Sequence, residues 1–134
     1  MGLSMEDICQ KCFAYPKSHS LEYRGRNCDP PYHDIWYSCP GDAIEYDDHD
    51  GIMNHYRNAL QTIQHPWIWI FDAKGYSWEH ALCVRTGIGI AKLLAAHPYL
   101  TEIRVRNYNH FLKSMLYITK PFLGERLRNQ IILE

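Results

Sequence analysis

Apolar and polar residues change rhythm several times along this chain, and each change marks an element. The strongest signal is His65-Pro66-Trp67-Ile68-Trp69-Ile70-Phe71-Asp72-Ala73-Lys74-Gly75. Trp67 to Phe71 is unbroken apolar sequence, rich in β-branched and aromatic residues, opened by Pro and closed by Asp and Gly. That pattern predicts one short buried strand. A strand apolar on both faces belongs mid-sheet with material over each face. Side chains alternate along a strand, so Trp67, Trp69 and Phe71 share one face and Ile68 and Ile70 the other.

Upstream, residues 1–34 show no sustained period. Pro16, Gly25, Pro30 and Pro31 punctuate a polar, tyrosine-bearing stretch that reads as an irregular arm packed on the domain. Asp34-Ile35-Trp36-Tyr37-Ser38-Cys39 predicts a first strand, ended by Pro40-Gly41, and Ala43-Ile44-Glu45-Tyr46 a short second piece. Asp47-Asp48-His49-Asp50-Gly51 is an acidic helix start, where carboxylates accept from free backbone N–H groups and oppose the helix dipole. A metal loop is the weaker reading, since the full calcium-loop spacing is absent. The helix is expected to reach about Gln64, with Ile52, Tyr56, Ala59, Leu60 and Ile63 on one face. Pro66 blocks its continuation.

Downstream, Ser77 is placed to cap a long helix over about Trp78 to Ala96, with Gly87 and Gly89 allowing close approach to the sheet. Thr101 to Asn107 alternates as a strand, with Ile103, Val105 and Asn107 on one side and Arg104 and Arg106 on the other. A helix carrying Phe111, Leu112, Met115 and Leu116 follows, broken at Lys120 to Gly124. A short helix over Glu125 to Asn129 and a last strand at Ile131-Ile132-Leu133 close the chain. The order predicts an α/β fold: one domain over residues 35–134, with a four- to five-stranded, mainly parallel sheet flanked by helices.

Composition narrows the function classes. The 134 residues suit one compact domain, and an apolar fraction of 46% supports a core. A net charge of -1 gives no electrostatic reason to expect nucleic acid. No apolar run approaches the ~20 residues of a membrane span, and Met1 to Asp7 lacks the basic and apolar parts of a secretory leader. Five cysteines, Cys9, Cys12, Cys28, Cys39 and Cys83, are an odd number. With no leader they point to free thiols in a reducing, cytoplasmic compartment.

Two stretches together resemble a known family. One is the strand-Asp-x-x-Gly of Trp67 to Gly75. The other joins His97-Pro98-Tyr99-Leu100, Ile103-Arg104-Val105-Arg106-Asn107, Phe111, Lys120-Pro121-Phe122-Leu123 and Gln130-Ile131. In order and spacing this is similar to the CRAL-TRIO family of lipid-binding and lipid-exchange domains, over about Pro66 to Leu133. The resemblance implies a sheet forming the floor of an apolar pocket, no enzyme activity, and one hydrophobic ligand such as a phosphoinositide, a tocopherol or a retinoid. In that reading Trp67, Trp69 and Phe71 line the apolar wall, or are the ordinary floor under a helix; Arg104 and Arg106 either meet solvent, bind an anionic headgroup or are covered by a second protein. The sequence departs from the family at those two arginines and at Gln130, where the family has Lys. The family's preceding helical segment and its gate helix have no counterpart here, so the resemblance implies a minimal domain whose pocket is open, rebuilt by oligomerisation, or lost. Transient membrane contact and a homo-oligomer are the associated partner expectations. A protein-interaction or self-association module, with the pocket vestigial, is the competing function.

The remaining chemistry is thinner. Cys9-x-x-Cys12 can place two thiolates on one metal ion, with Cys28 and Cys39 completing a zinc site and His19 or His33 as substitutes. The second pair is not a Cys-x-x-Cys knuckle and its spacing is loose, so free or buried thiols, with no metal and no cofactor, are expected. Cys83 reads as a core thiol of the long helix. Ser77, Asp72 and His80 contain the residue types of a hydrolase triad but lack a Gly-x-Ser-x-Gly elbow, and Asp72 more simply caps the turn after the central strand.

Overall fold

The computed structural model describes residues 5–134. Five strands form one sheet in sequential order: β1 (Glu22–Arg26), β2 (Asp34–Ser38), β3 (Trp67–Asp72), β4 (Leu100–Arg106) and β5 (Ile131–Leu133). β1 runs antiparallel to β2, and the other three pairings are parallel. The expected α/β class and mainly parallel sheet are therefore present. β3 sits at the centre, as its composition requires, with Trp69 beside Ile103 and Phe71 beside Val105.

The helices are α1 (Met5–Ile8), α2 (Gln10–Ala14), α3 (His49–Thr62), α4 (Trp78–Ala81), α5 (Val84–Ala95) and α6 (His110–Arg128). Sequential strand order with right-handed crossovers steps each connection in the same direction, so the helices collect on one face. The core joins Trp36, Trp67, Trp69, Ile103 and Val105 to Leu60 of α3, Leu94 of α5 and Leu127 of α6. Ile68 and Ile70 stand outside that core although both are buried. Material over both faces of β3 was expected. Instead the second face is shielded by strand neighbours such as Tyr37 and Arg104, which flank Ile70 in register.

Other differences have local causes. Residues 22–26 of the expected irregular arm form β1, and residues 1–4 of that arm lie outside the described residues. The stretch Glu22-Tyr23-Arg24-Gly25-Arg26 has no apolar alternation because it is an edge strand, mostly exposed; pairing with β2, not burial, makes it a strand. Ala43 to Tyr46 is turn, not strand, tied to the arm by Ile44 N–H to Lys17 O and Glu45 N–H to Ser18 O. The long helix expected from Ser77 is two helices. α4 lasts one turn, and the chain restarts at Cys83, the N-cap of α5. Gly87 and Gly89 permit close approach to helices rather than to the sheet: a Cβ would meet Met115 Sδ of α6 at Gly87 and Met53 of α3 at Gly89. α6 runs through Pro121 and breaks its helical geometry only at Gly124 (φ 81°). The helix expected to start at the Asp47 to Gly51 cluster and reach about Gln64 is present as α3, ending at Thr62, with Asp48 as its N-cap accepting from Gly51 N–H.

Candidate functional site

Between the helices and the C-terminal half of β3 lies a cavity of about 130 Å³. Trp69, Phe71, Ile103 and Val105 supply its floor; Ile90, Ala91 and Leu94 of α5 and Leu112, Met115 and Leu116 of α6 supply much of the rest. The floor is apolar because alternation sends these four strand residues to the helical side. Trp69 and Phe71 meet edge to face with centroids 5.3 Å apart, and Phe71 meets Tyr76 at 6.0 Å.

The polar lining is mostly satisfied. The Tyr56 hydroxyl donates to Ser20 O at 3.0 Å and lies 2.9 Å from Ser38 Oγ, while Thr86 Oγ1 lies 2.8 Å from His49 Nδ1. The hydroxyls of Tyr76 and Thr119 have no hydrogen-bond partner among the described residues. Burial, with Cys83 nearby, raises the Tyr76 phenol above its ordinary value, so it remains a proton donor at neutral pH.

Of the residues expected to bind ligand, Trp69 and Phe71 line this cavity. Trp67 does not. It opens β3 at the opposite end of the strand, fully buried, with its indole N–H donated to His97 Nδ1 at 3.2 Å. Arg104 and Arg106 do not either. Their register with Ile70 and Asp72 puts them on the helix-free face, where Arg104 pairs with Glu102 at 3.1 Å and Arg106 with Glu134 at 3.2 Å. Neither arginine is among the residues that line this cavity. The sequence missed Tyr76, Ala91, Met115 and Thr119, because no pattern in one chain reports which helix faces meet across a sheet.

Of the hydrolase constellation, Ser77 Oγ lies 3.0 Å from His80 Nδ1, while Asp72 is engaged elsewhere. Asp72 accepts from Tyr37 hydroxyl at 2.7 Å, Asn107 Nδ2 at 2.8 Å and Lys74 N–H at 3.0 Å, holding the turn as expected. His80 Nδ1 instead accepts from Ser77 N–H at 3.0 Å in a capping box, and its Nε2 faces Pro40 O at 3.2 Å. No carboxylate orients it, as a triad requires. Cys83 is half-buried at the start of α5 and lines the cavity.

A second cluster is built by the arm. Cys9 caps α2 and accepts from Cys12 N–H at 3.4 Å; His19 lies in the following loop, and His55 projects from α3. All four are buried, and their ligand atoms lie within 4.8 Å of one another. Burial raises the Cys12 thiol to about 11 and lowers His55, so a metal-free cluster holds a protonated thiol and a neutral imidazole at pH 7. Cys28 is exposed and Cys39 sits elsewhere, its Sγ 3.5 Å from Lys74 O. The fourfold cysteine grouping weighed from sequence does not form. His33 is not part of the cluster, its Nδ1 facing Pro31 O.

The fold and its cavity define a two-layer α/β domain with an apolar hollow between sheet and helices. No protein-family model matches the chain, and no curated protein sequence matches it. No helix among the described residues is long and apolar enough to cross a membrane.

Proposed function

We propose that this chain is a non-enzymatic binder of a small hydrophobic ligand, working in the manner of the CRAL-TRIO domains its sequence resembles. The observation that carries the reading is the apolar cavity over Trp69, Phe71, Ile103 and Val105. A cavity near ~150 Å³ lined by aliphatic and aromatic groups admits a molecule the size of benzene. The hollow here therefore takes a ring or a short alkyl segment. A longer chain has to displace lining side chains, and Met115, unbranched and adaptable, is the one suited to move. Among the described residues no lysine or arginine lines the cavity, which favours a neutral ligand over a phosphoinositide. The free hydroxyls of Tyr76 and Thr119 suit a ligand bearing one oxygen. Each CH₂ withdrawn from water contributes about 0.8 kcal/mol to such binding.

Trp69, one of four tryptophans, lines the cavity and contributes to the emission. Titration with naphthalene and with a medium-chain alcohol should change that emission saturably, and solvent extraction of the purified protein should release a hydrophobic compound. Ala91→Met, which fills the cavity from α5, should weaken binding at least tenfold while the circular dichroism spectrum is unchanged. Absence of saturable binding by either probe, with no compound extracted, overturns the proposal.

The helix-free sheet face favours a second reading, self-association. Ile68 and Ile70 lie there outside the core, and Ile132, in register with Arg104, is 43% exposed. In that reading a second copy covers this face. Sedimentation should then show a dimer that Ile132→Glu or Arg106→Glu dissociates; a monomer at every concentration removes the idea.

A further inference from the structure

We infer that Cys9, Cys12, His19 and His55 form a structural zinc site that fastens the N-terminal arm to α3. The cluster joins two residues of one short helical segment, one loop residue, and a histidine 43 positions beyond Cys12. Zn–S bonds of about 2.3 Å and Zn–N bonds of about 2.0 Å at tetrahedral angles put sulfur and nitrogen about 3.5 Å apart. The observed separations bracket that value: Cys9 Sγ to His19 Nδ1 is 3.3 Å, Cys12 Sγ to His55 Nδ1 3.5 Å, and Cys12 Sγ to His19 Nδ1 3.7 Å.

The surroundings orient the ligands as a metal requires. His55 Nε2 lies 2.8 Å from Leu21 O, a carbonyl that can only accept, so the ring proton sits on Nε2 and the Nδ1 lone pair faces the thiols. His19 Nε2 lies 2.8 Å from Asp48 Oδ2, giving the carboxylate–histidine pairing that fixes metal-bound imidazoles. Asp48 Oδ2 is also held by Lys11 Nζ at 2.9 Å. Backbone N–H groups aim at both sulfurs: Cys12 N–H at Cys9 Sγ (3.4 Å) and His19 N–H at Cys12 Sγ (3.3 Å). Gly51 completes the shell, since a Cβ there would collide with Asp48 Oδ2 and His19 Cε1. Two sulfurs and two imidazoles leave no open position, which marks a structural rather than a catalytic site, and tetrahedral S₂N₂ selects zinc.

Without metal, the same atoms would be two thiols donating to two imidazole nitrogens, so the test is direct. Elemental analysis of protein purified without added chelator should find about one zinc per chain. Chelator-stripped protein refolded with cobalt(II) should show the visible absorption of a tetrahedral thiolate site, abolished by zinc. Cys12→Ser and His55→Ala should lose the metal, whereas Cys28→Ser and Cys83→Ser should keep it. A wild-type chain that carries no zinc and gives no cobalt spectrum overturns the proposal, and needs no variant to fold. Full metal retention in Cys12→Ser overturns it equally.

Discussion

Asp72 shows how one side chain can organise a strand end. It accepts from Tyr37 on β2, Asn107 after β4 and the Lys74 N–H of its own turn, tying three successive parallel strands at their C-terminal ends. Burial pushes its carboxyl upward, but the bonds from Asn107, Tyr37 and Lys74 and the charge of Arg106 outweigh it, and the net shift is downward. A carboxyl more acidic folded than unfolded contributes stability above its unfolded value, about 3.9. That contribution fades as pH falls through the lower folded value. Urea unfolding as a function of pH should therefore show the wild type losing stability below about pH 4, with Asp72→Asn less stable at pH 7 and less sensitive to acid. Equal acid sensitivity in both proteins would discard this account.

At the scale of elements, α3 and α5 carry most of the local logic. α3 places Ile52, Tyr56, Ala59 and Leu60 inward at helical spacing, and His55 falls on the same stripe. The apolar stripe is legible in the sequence, whereas the role of His55 is not, because a lone polar residue on an apolar face gives no sign of its partners. Asp48 both caps this helix and holds His19, so Asp48→Ala should lower stability by more than the ~1 kcal/mol of a lost cap; thermal unfolding measures this. α5 lies against α6 where Gly87 meets Met115. Gly87→Ala gains about 1 kcal/mol of helix propensity but forces the Met115 thioether aside. The expected result is near-neutral stability with weaker binding of naphthalene, because both residues line the cavity. Unchanged binding would place the cavity elsewhere.

For the whole molecule, the sequential strand order decides the shape. Each connection crosses on the same side, so α3, α4, α5 and α6 form one layer and, among the described residues, the opposite sheet face has no helix. The edges are managed by composition: β1 is short and charged, and β5 has three residues. The exposed Ile132 and Leu133 on β5 are the surface where that management is weakest, at 43% and 54% exposure. Substituting both with lysine should raise the solubility limit without lowering stability, measured by thermal unfolding, by more than about 1 kcal/mol. A large loss of stability would instead mean that β5 is anchored through these side chains.

The sequence by itself determined the α/β class, the central place of Trp67 to Phe71, the span of α3 within two residues, the alternation of β4 and the turn role of Asp72. These follow from short-range causes: period, punctuation by Pro and Gly, and capping. Strand alternation put Trp69 and Phe71 on one shared face, and the motif resemblance suggested an apolar floor. Only the tertiary structure decided that β1 exists, that Trp67 lies beyond the cavity, and that Arg104 and Arg106 face away from it. It alone brought His55 to Cys9, Cys12 and His19. The physical reason is common to all four. Edge pairing, the end of a strand at which a cavity opens, the face on which helices collect, and contacts between distant residues are set by how elements meet, and a linear pattern carries only what each element prefers for itself.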